Sequence, residues 1–103
     1  MGLSTNGAAL RLSDADNVAV VLRALEPGTE LTFGAEHLIA TQEIPVGHKL
    51  ATREIPAGAA ILKYGQTMGR ATVTIAAGEH VHVHNVEGIR GRGDLAAARS
   101  ASA

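Results

Sequence analysis

The sequence predicts one mostly β domain, compact and folded over on itself, with a flexible or short-helical C-terminal tail. Three observations predict it. The first is an internal repeat: "LEPG" (25–28), "IPVG" (44–47), "IPAG" (55–58) and "IAAG" (75–78) each set an aliphatic residue, two further residues and a glycine. Glycine supplies the positive φ that closes a tight turn, and proline fixes the turn's second position. The glycines are spaced by 19, 11 and 20 residues, so two related halves joined by a short link are expected. The second observation is that the segments between these turns are short, apolar and punctuated by Gly or Pro, and no stretch before residue 90 carries a sustained helical stripe. The third is composition: 46% of the 103 residues are hydrophobic but only 2% are aromatic, so the core must be aliphatic.

The elements follow in order. Residues 1–7 read as a flexible lead, 8–89 as the domain and 90–103 as a flexible tail. "VAVVLRAL" (18–25) is a β-branched strand after the turn-like "SDADN" (13–17). "AEHLIATQEI" (35–44), "KLATREI" (49–55) and "AILKYG" (60–65) read as further short strands. In "ATVTIAAG" (71–78), Thr72, Val73, Thr74 and Ile75 alternate as a half-buried strand should. Hairpin turns are expected at the four repeat glycines. The Ala-rich "GDLAAARSASA" (93–103) is too short to hold a helix alone in water.

Size and charge limit the function classes. Area scaling gives roughly 15,000 Å² unfolded and about 5,500 Å² folded, which leaves about 64% buried and room for one modest core. With so few rings, exposed aliphatic surface is expected, and with it a homo-oligomer of the isolated chain or a complex with a partner. Cysteine is absent, which removes disulfides, thiolate metal sites and Cys nucleophiles and fits a reducing cytoplasm. A net charge of −1 without a basic run before the tail argues against nucleic acid. No apolar stretch reaches membrane-spanning length, and "MGLSTNGAAL" reads neither as a signal peptide nor as a myristoylation signal.

The chemistry-bearing residues sit in four places. "GEHVHVHNV" (78–86) holds three of the five histidines at alternate positions. On a strand His80, His82 and His84 share one face, and imidazoles spaced i, i+2 can share a Zn²⁺ or Fe²⁺ ion. The alternative is an exposed strand face. Asn85 ends the run, either to hydrogen-bond a substrate oxygen or as a turn residue. "GHK" sets His48 and Lys49 after the second turn, where a positive charge can hold a carboxylate or simply be solvated. "LKYGQ" pairs Lys63, a candidate anion binder, with Tyr64, a hydrogen-bond donor or a plug for the small core. "RGRGD" (90–94) is a docking arm or a loose tail.

The run from "DNVAVVLRAL" through "IPVGHKLA", "ILKYGQTMGRAT" and "GEHVHVHNV" resembles the SAF domain of the altronate and galactarate dehydratase family. The joint occurrence of "GHK", "KYGQTMGRAT" and "HVHVHN" in that order carries the resemblance, which covers roughly residues 8–93. It implies a β-clip fold, a long hairpin folded on itself. It also implies a small subunit that covers the active site of a separate large catalytic subunit. The substrate would be a sugar acid, or the sulfonated hydroxy acid of a related sulfolactate-type lyase. The implied chemistry is β-elimination with a divalent metal, Fe²⁺ first and Zn²⁺ or Mn²⁺ as alternatives, and with the general base on the partner. His82 and His84 match the family's His-x-His-Asn run more strictly than His80 does. Stand-alone sugar- or partner-binding modules and inert dimeric scaffolds are the readings set against this one.

Overall fold

The computed structural model describes residues 3–4 and 6–88. Among them there are nine strands and no helix: β1 (Ala9–Leu10), β2 (Val18–Val21), β3 (Glu30–Phe33), β4 (Glu36–Ile39), β5 (Lys49–Ala51), β6 (Ala60–Lys63), β7 (Gln66–Ala71), β8 (His80–Val81) and β9 (Val86–Glu87). They form an antiparallel sheet in the order β1-β2-β5-β8, a two-stranded hairpin β3-β4, and a three-stranded sheet β6-β7-β9. The expected mostly β domain is what is found, and its surface of 5489 Å² matches the scaling expectation. The expected tail, 90–103, lies outside the described residues.

The repeat builds the fold, though not as hairpins. Turns 26–29, 45–48, 56–59 and 76–79 are each closed by a backbone hydrogen bond of 3.0–3.2 Å from the fourth residue to the first. Gly28, Gly47, Gly58 and Gly78 hold the third position at φ values between 86° and 92°. Only Pro27 takes the second position; Pro45 and Pro56 stand first. Each glycine also donates its N–H to a different segment, to the carbonyls of Ala40, Val21, Ala71 and Ala51 respectively. Turns of this hand splay the flanking strands, so they make corners. The aliphatic residue ahead of each glycine pairs across the repeat instead: Leu25 with Ile44 and Ile55 with Ile75, through reciprocal N–H to C=O bonds of 2.8–2.9 Å. All four are at most 2% exposed.

The true hairpin turns lie at 33–36, where Gly34 takes φ 61°, and at 63–66, where Tyr64 and Gly65 both take positive φ (56° and 78°). Residues 72–74 do not form the expected alternating strand. All three are exposed, and the strand there is β7, earlier in the chain. "TVT" is β-branched, but it leads into a corner, and among the described residues its backbone bond to another segment is Thr72 N–H to Asn85 C=O at 3.0 Å.

Two aliphatic clusters flank the central sheet. Leu25, Leu31, Phe33, Leu38, Ile44 and Leu50 pack around the β3-β4 hairpin. Val18, Ile55, Ile61, Ile75 and Val81 pack around β6-β7. Alternation on β2 serves both: Val18 enters the second cluster, Ala19 and Val21 the first. The expected exposed aliphatics are present, with Val46, Val73 and Val83 at 53–81% exposure.

"SDADN" is a polar clamp that ties the halves together. The fully buried Asp16 carboxylate accepts the N–H groups of Tyr64 and Gly65, both at 2.8 Å, and so fixes the β6-β7 turn. The Asn17 amide accepts from Leu62 N–H at 2.8 Å and donates to Ala60 C=O at 2.9 Å, extending the ladder of β6. Tyr64 is thus placed at a hairpin tip and is 39% exposed, so the core-plug reading of this residue fails. Near the N-terminus, Leu3 bridges Leu10 and Ser4 is buried against β1.

Candidate functional site

The histidine segment departs from its expected form. Only His80 and Val81 belong to β8; residues 82–85 form a turn closed by Asn85 N–H to His82 C=O at 3.1 Å. Asn85 causes this. Its side chain is buried, accepts His82 N–H through Oδ1 at 3.0 Å and donates to His80 C=O through Nδ2 at 2.9 Å. A carboxamide that satisfies both backbone groups bends the chain out of the pleat. The expectation that His80, His82 and His84 stand on one continuous strand is therefore corrected, although the rings still lie together, that of His82 centred 5.6 Å from that of His80. His84 sits exposed on the turn, its ring centroid 5.0 Å from that of His80. The Asn85 amide is committed to the backbone, as a turn residue's would be.

The structure brings in His48 instead. Strand β5 pairs with β8 so that Lys49 opposes Val81 and Leu50 opposes His80. Carried one residue further, that register sets His48 opposite His82, and their rings stack with centroids 3.7 Å apart and planes 15° apart. Across the diagonal, His48 Nδ1 lies 2.8 Å from His80 Nε2, a hydrogen bond that requires one ring nitrogen to carry the proton and the other to accept it. Two motifs 32 positions apart thus make one cluster, anchored by the corner at Gly47 and the loop closed by Asn85.

Burial and crowding disfavour the charged forms of His80 and His82. Burial pushes the His80 pKa below its ordinary 6.5, helped by positive charge on His84, His48, His82 and Lys49. Loss of solvent contact lowers His82 too, with His48, Lys49 and His84 adding to it. Lys49, half-buried, is lowered first by burial and then by the neighbouring Lys63. The Lys63 Nζ lies 5.1 Å above the Tyr64 ring, a cation–π contact at the hairpin tip. His37 stands apart on β4, exposed and 3.7 Å from Glu30.

The donor chemistry fits a first-row cation. His48, His80 and His82 each offer a nitrogen, and these lie within 4.8 Å of one another. Imidazole nitrogens suit Zn²⁺ and Fe²⁺, and the proton between His48 and His80 would have to leave that bond before both rings could ligate. Bond lengths of about 2.0–2.1 Å would set the donors of one ion roughly 3.3 Å apart, so the widest separation would contract by at most about 1.5 Å. A bound ion lies in the plane of each ring it touches. The stacked His48–His82 pair therefore has to turn one ring about its side-chain torsions, which its partial exposure permits.

A cleft of about 270 Å³ adjoins the cluster, lined by Lys49, Ile61, Met68, His82, Val83, Val86 and Gly88. A second cleft of about 290 Å³ contains the Arg11–Glu36 ion pair and shares no lining residue with the first. Sequence reasoning placed His48 with Lys49 as a substrate contact and missed it as a partner of the histidine segment. The missing information was the β5–β8 register.

Comparison with known proteins agrees with this architecture. The altronate/galactarate dehydratase SAF domain family matches residues 7–88. The altronate dehydratase of Escherichia coli K12 is 42% identical over 76 residues, covering 74% of this chain and 15% of that protein. The altronate dehydratase of Bacillus subtilis 168 is 35% identical over 78 residues, 76% of this chain and 16% of that protein. The chain thus spans about a sixth of the length of these two relatives. The (2R)-sulfolactate sulfo-lyase subunit alpha of Chromohalobacter salexigens is 39% identical over 82 residues, 72% of this chain and 87% of that subunit. Similarity at this level, running from the β1 edge to the end of β9, makes the chain a member of the altronate/galactarate dehydratase SAF domain family.

Proposed function

We propose that this chain is the SAF small subunit, or SAF portion, of a metal-dependent lyase that acts on a hydroxy acid, and that it closes the active site of a separate catalytic partner. One observation carries the reading: two distant motifs of a lyase-family domain converge three imidazoles beside a cleft lined by Lys49. Relatives named for removing water from altronate or sulfite from sulfolactate perform eliminations next to a carboxylate, and that class of chemistry is carried over here.

His48, His80 and His82 would hold the ion, Fe²⁺, Zn²⁺ or Mn²⁺, in place of the His80–His82–His84 set that the sequence alone suggests. When bound, such an ion polarises the oxygen or sulfur group that leaves. The Asn85 amide keeps His80 and His82 at fixed spacing. Lys49 in the cleft wall, with Lys63 near enough to act on it, would supply positive charge for a substrate carboxylate, and such charge acidifies the adjacent C–H bond. The described residues offer no carboxylate inside the cleft, so the base that takes this proton is assigned to the partner.

The test is capture on the tagged chain from its source cell, identification of what binds, and assay of the captured complex. A bound lyase-class protein and elimination from altronate, galactarate or sulfolactate supports the proposal. A chain that captures no such protein, or a captured complex inert on all three acids, contradicts it.

A further inference from the structure

The cleft beside the histidines has a composition that selects among acids. Its polar side chains are Lys49 and His82; the remainder of the wall is Ile61, Met68, Val83, Val86 and Gly88. Size does not decide the ligand, since about 270 Å³ admits a three-carbon acid and a six-carbon acid alike. The wall decides. A polyhydroxylated six-carbon acid would turn several hydroxyls toward aliphatic side chains, and each hydroxyl that leaves water without a partner weakens binding by about tenfold. A short acid has no such hydroxyls to lose.

Charge supplies the other half. The ion pairs among the described residues are Arg11–Glu36 and His37–Glu30, and neither includes Lys49. Lys49 lines the cleft from the first position of β5, next in sequence to His48 and opposite Val81. Lys63 is close enough to act on it electrostatically. Lys49 and His82 line the same cleft, so an acid held by Lys49 has the imidazole cluster beside it.

We propose that Lys49 anchors the carboxylate of a short 2-hydroxy acid of three or four carbons, and that the aliphatic wall of this cleft discriminates against polyhydroxylated sugar acids. The inference rests on the lyase reading of the site and narrows its substrate class.

The experiment is titration of the full-length chain at pH 7 with lactate, malate and gluconate, followed by backbone amide chemical shifts. Wild type is expected to bind lactate and malate with dissociation constants of about 1–10 mM, with shifts centred on Lys49, His82 and Val83. Gluconate is expected to bind at least about tenfold more weakly. Lys49→Met should weaken lactate and malate about tenfold while Lys49→Arg retains them. Equal binding of lactate and gluconate by wild type overturns the proposal without any variant. So do unchanged binding in Lys49→Met, shifts centred on the Arg11–Glu36 cleft, and absence of binding by all three acids. Because Lys49 is not among the imidazole ligands, Zn²⁺ binding and partner capture stay measurable in Lys49→Met. Their persistence alongside unselective acid binding would sink this inference and leave the lyase reading standing.

Discussion

Replacing Asn85 with alanine should both soften the domain and disperse the histidine cluster. The side chain is 6% exposed and its amide makes two hydrogen bonds, to His82 N–H and His80 C=O. Each such bond contributes about 1 kcal/mol net, and a partner left buried and unpaired costs about 1–3 kcal/mol more. His82 N–H opens onto an exposed turn and regains water, whereas His80 C=O sits on a half-buried strand. The sum is about 3–5 kcal/mol, which for a domain of this size lowers Tm by about 15–30 °C. Asn85→Asp keeps the acceptor and loses the donor, so about half that loss is expected. Freed of the amide, residues 82–85 lose the spacing between His80 and His82, and Co²⁺ or Zn²⁺ affinity should fall at least tenfold, as it does when groups that orient ligands are removed. Calorimetry and a Co²⁺ absorption titration measure both effects. A Tm within about 2 °C of wild type, with unchanged Co²⁺ affinity, would refute the reasoning.

Three further outcomes follow from particular contacts. Gly58 and Gly78 share φ 87°, but an added Cβ meets nothing within 4 Å at Gly58 and lies 2.0 Å from Ile39 O at Gly78. Gly58→Ala should therefore cost about 1–2 kcal/mol and Gly78→Ala at least about 3 kcal/mol; equal denaturation midpoints would show that the close approach is wrong. Asp16→Ala strips the Tyr64 and Gly65 N–H groups of their acceptor and should cost about 3 kcal/mol or more, read by urea titration, with an unshifted midpoint counting against the clamp. In the metal-free chain the folded pKa values of His80 and His82 lie below 6.5, so the unfolded chain takes up protons first as pH falls. Stability should be complete above about pH 7 and decline as pH drops through 6.5 toward the folded values. That window lies above the one in which Glu36, lowered by its hydrogen bond to Arg11, gains its proton. Urea midpoints at pH 7.5 and 5.5 check this, and a chain equally stable at both contradicts it.

The repeat made the fold legible because its two parts have separate physical jobs. The glycine supplies φ and the aliphatic supplies the core, and Leu25, Ile44, Ile55 and Ile75 are all buried as that pattern requires. What the repeat did not disclose is that its turns are corners, because turn type constrains local dihedrals and says nothing about which strands then pair. The hairpin tip at Tyr64–Gly65 was hidden for a different reason. Tyrosine is a poor candidate for positive φ, and its conformation depends on a carboxylate 48 positions earlier. The histidine run was visible as chemistry and misjudged as geometry: period-2 spacing ends where the Asn85 amide outcompetes the ladder. His48 became a partner only through pairing between β5 and β8, which no spacing within either motif contains.

Turnover of the assembled complex with single histidine variants tests the central claim most directly. His48→Ala, His80→Ala and His82→Ala should each lower activity at least roughly tenfold while Tm stays within a few degrees, because partly exposed rings contribute only about 0.5 kcal/mol to stability. His37→Ala, which removes a ring paired with Glu30 on the other hairpin, should leave turnover unchanged. Full activity with His48 and His82 both replaced, in a complex that still assembles, would contradict the account.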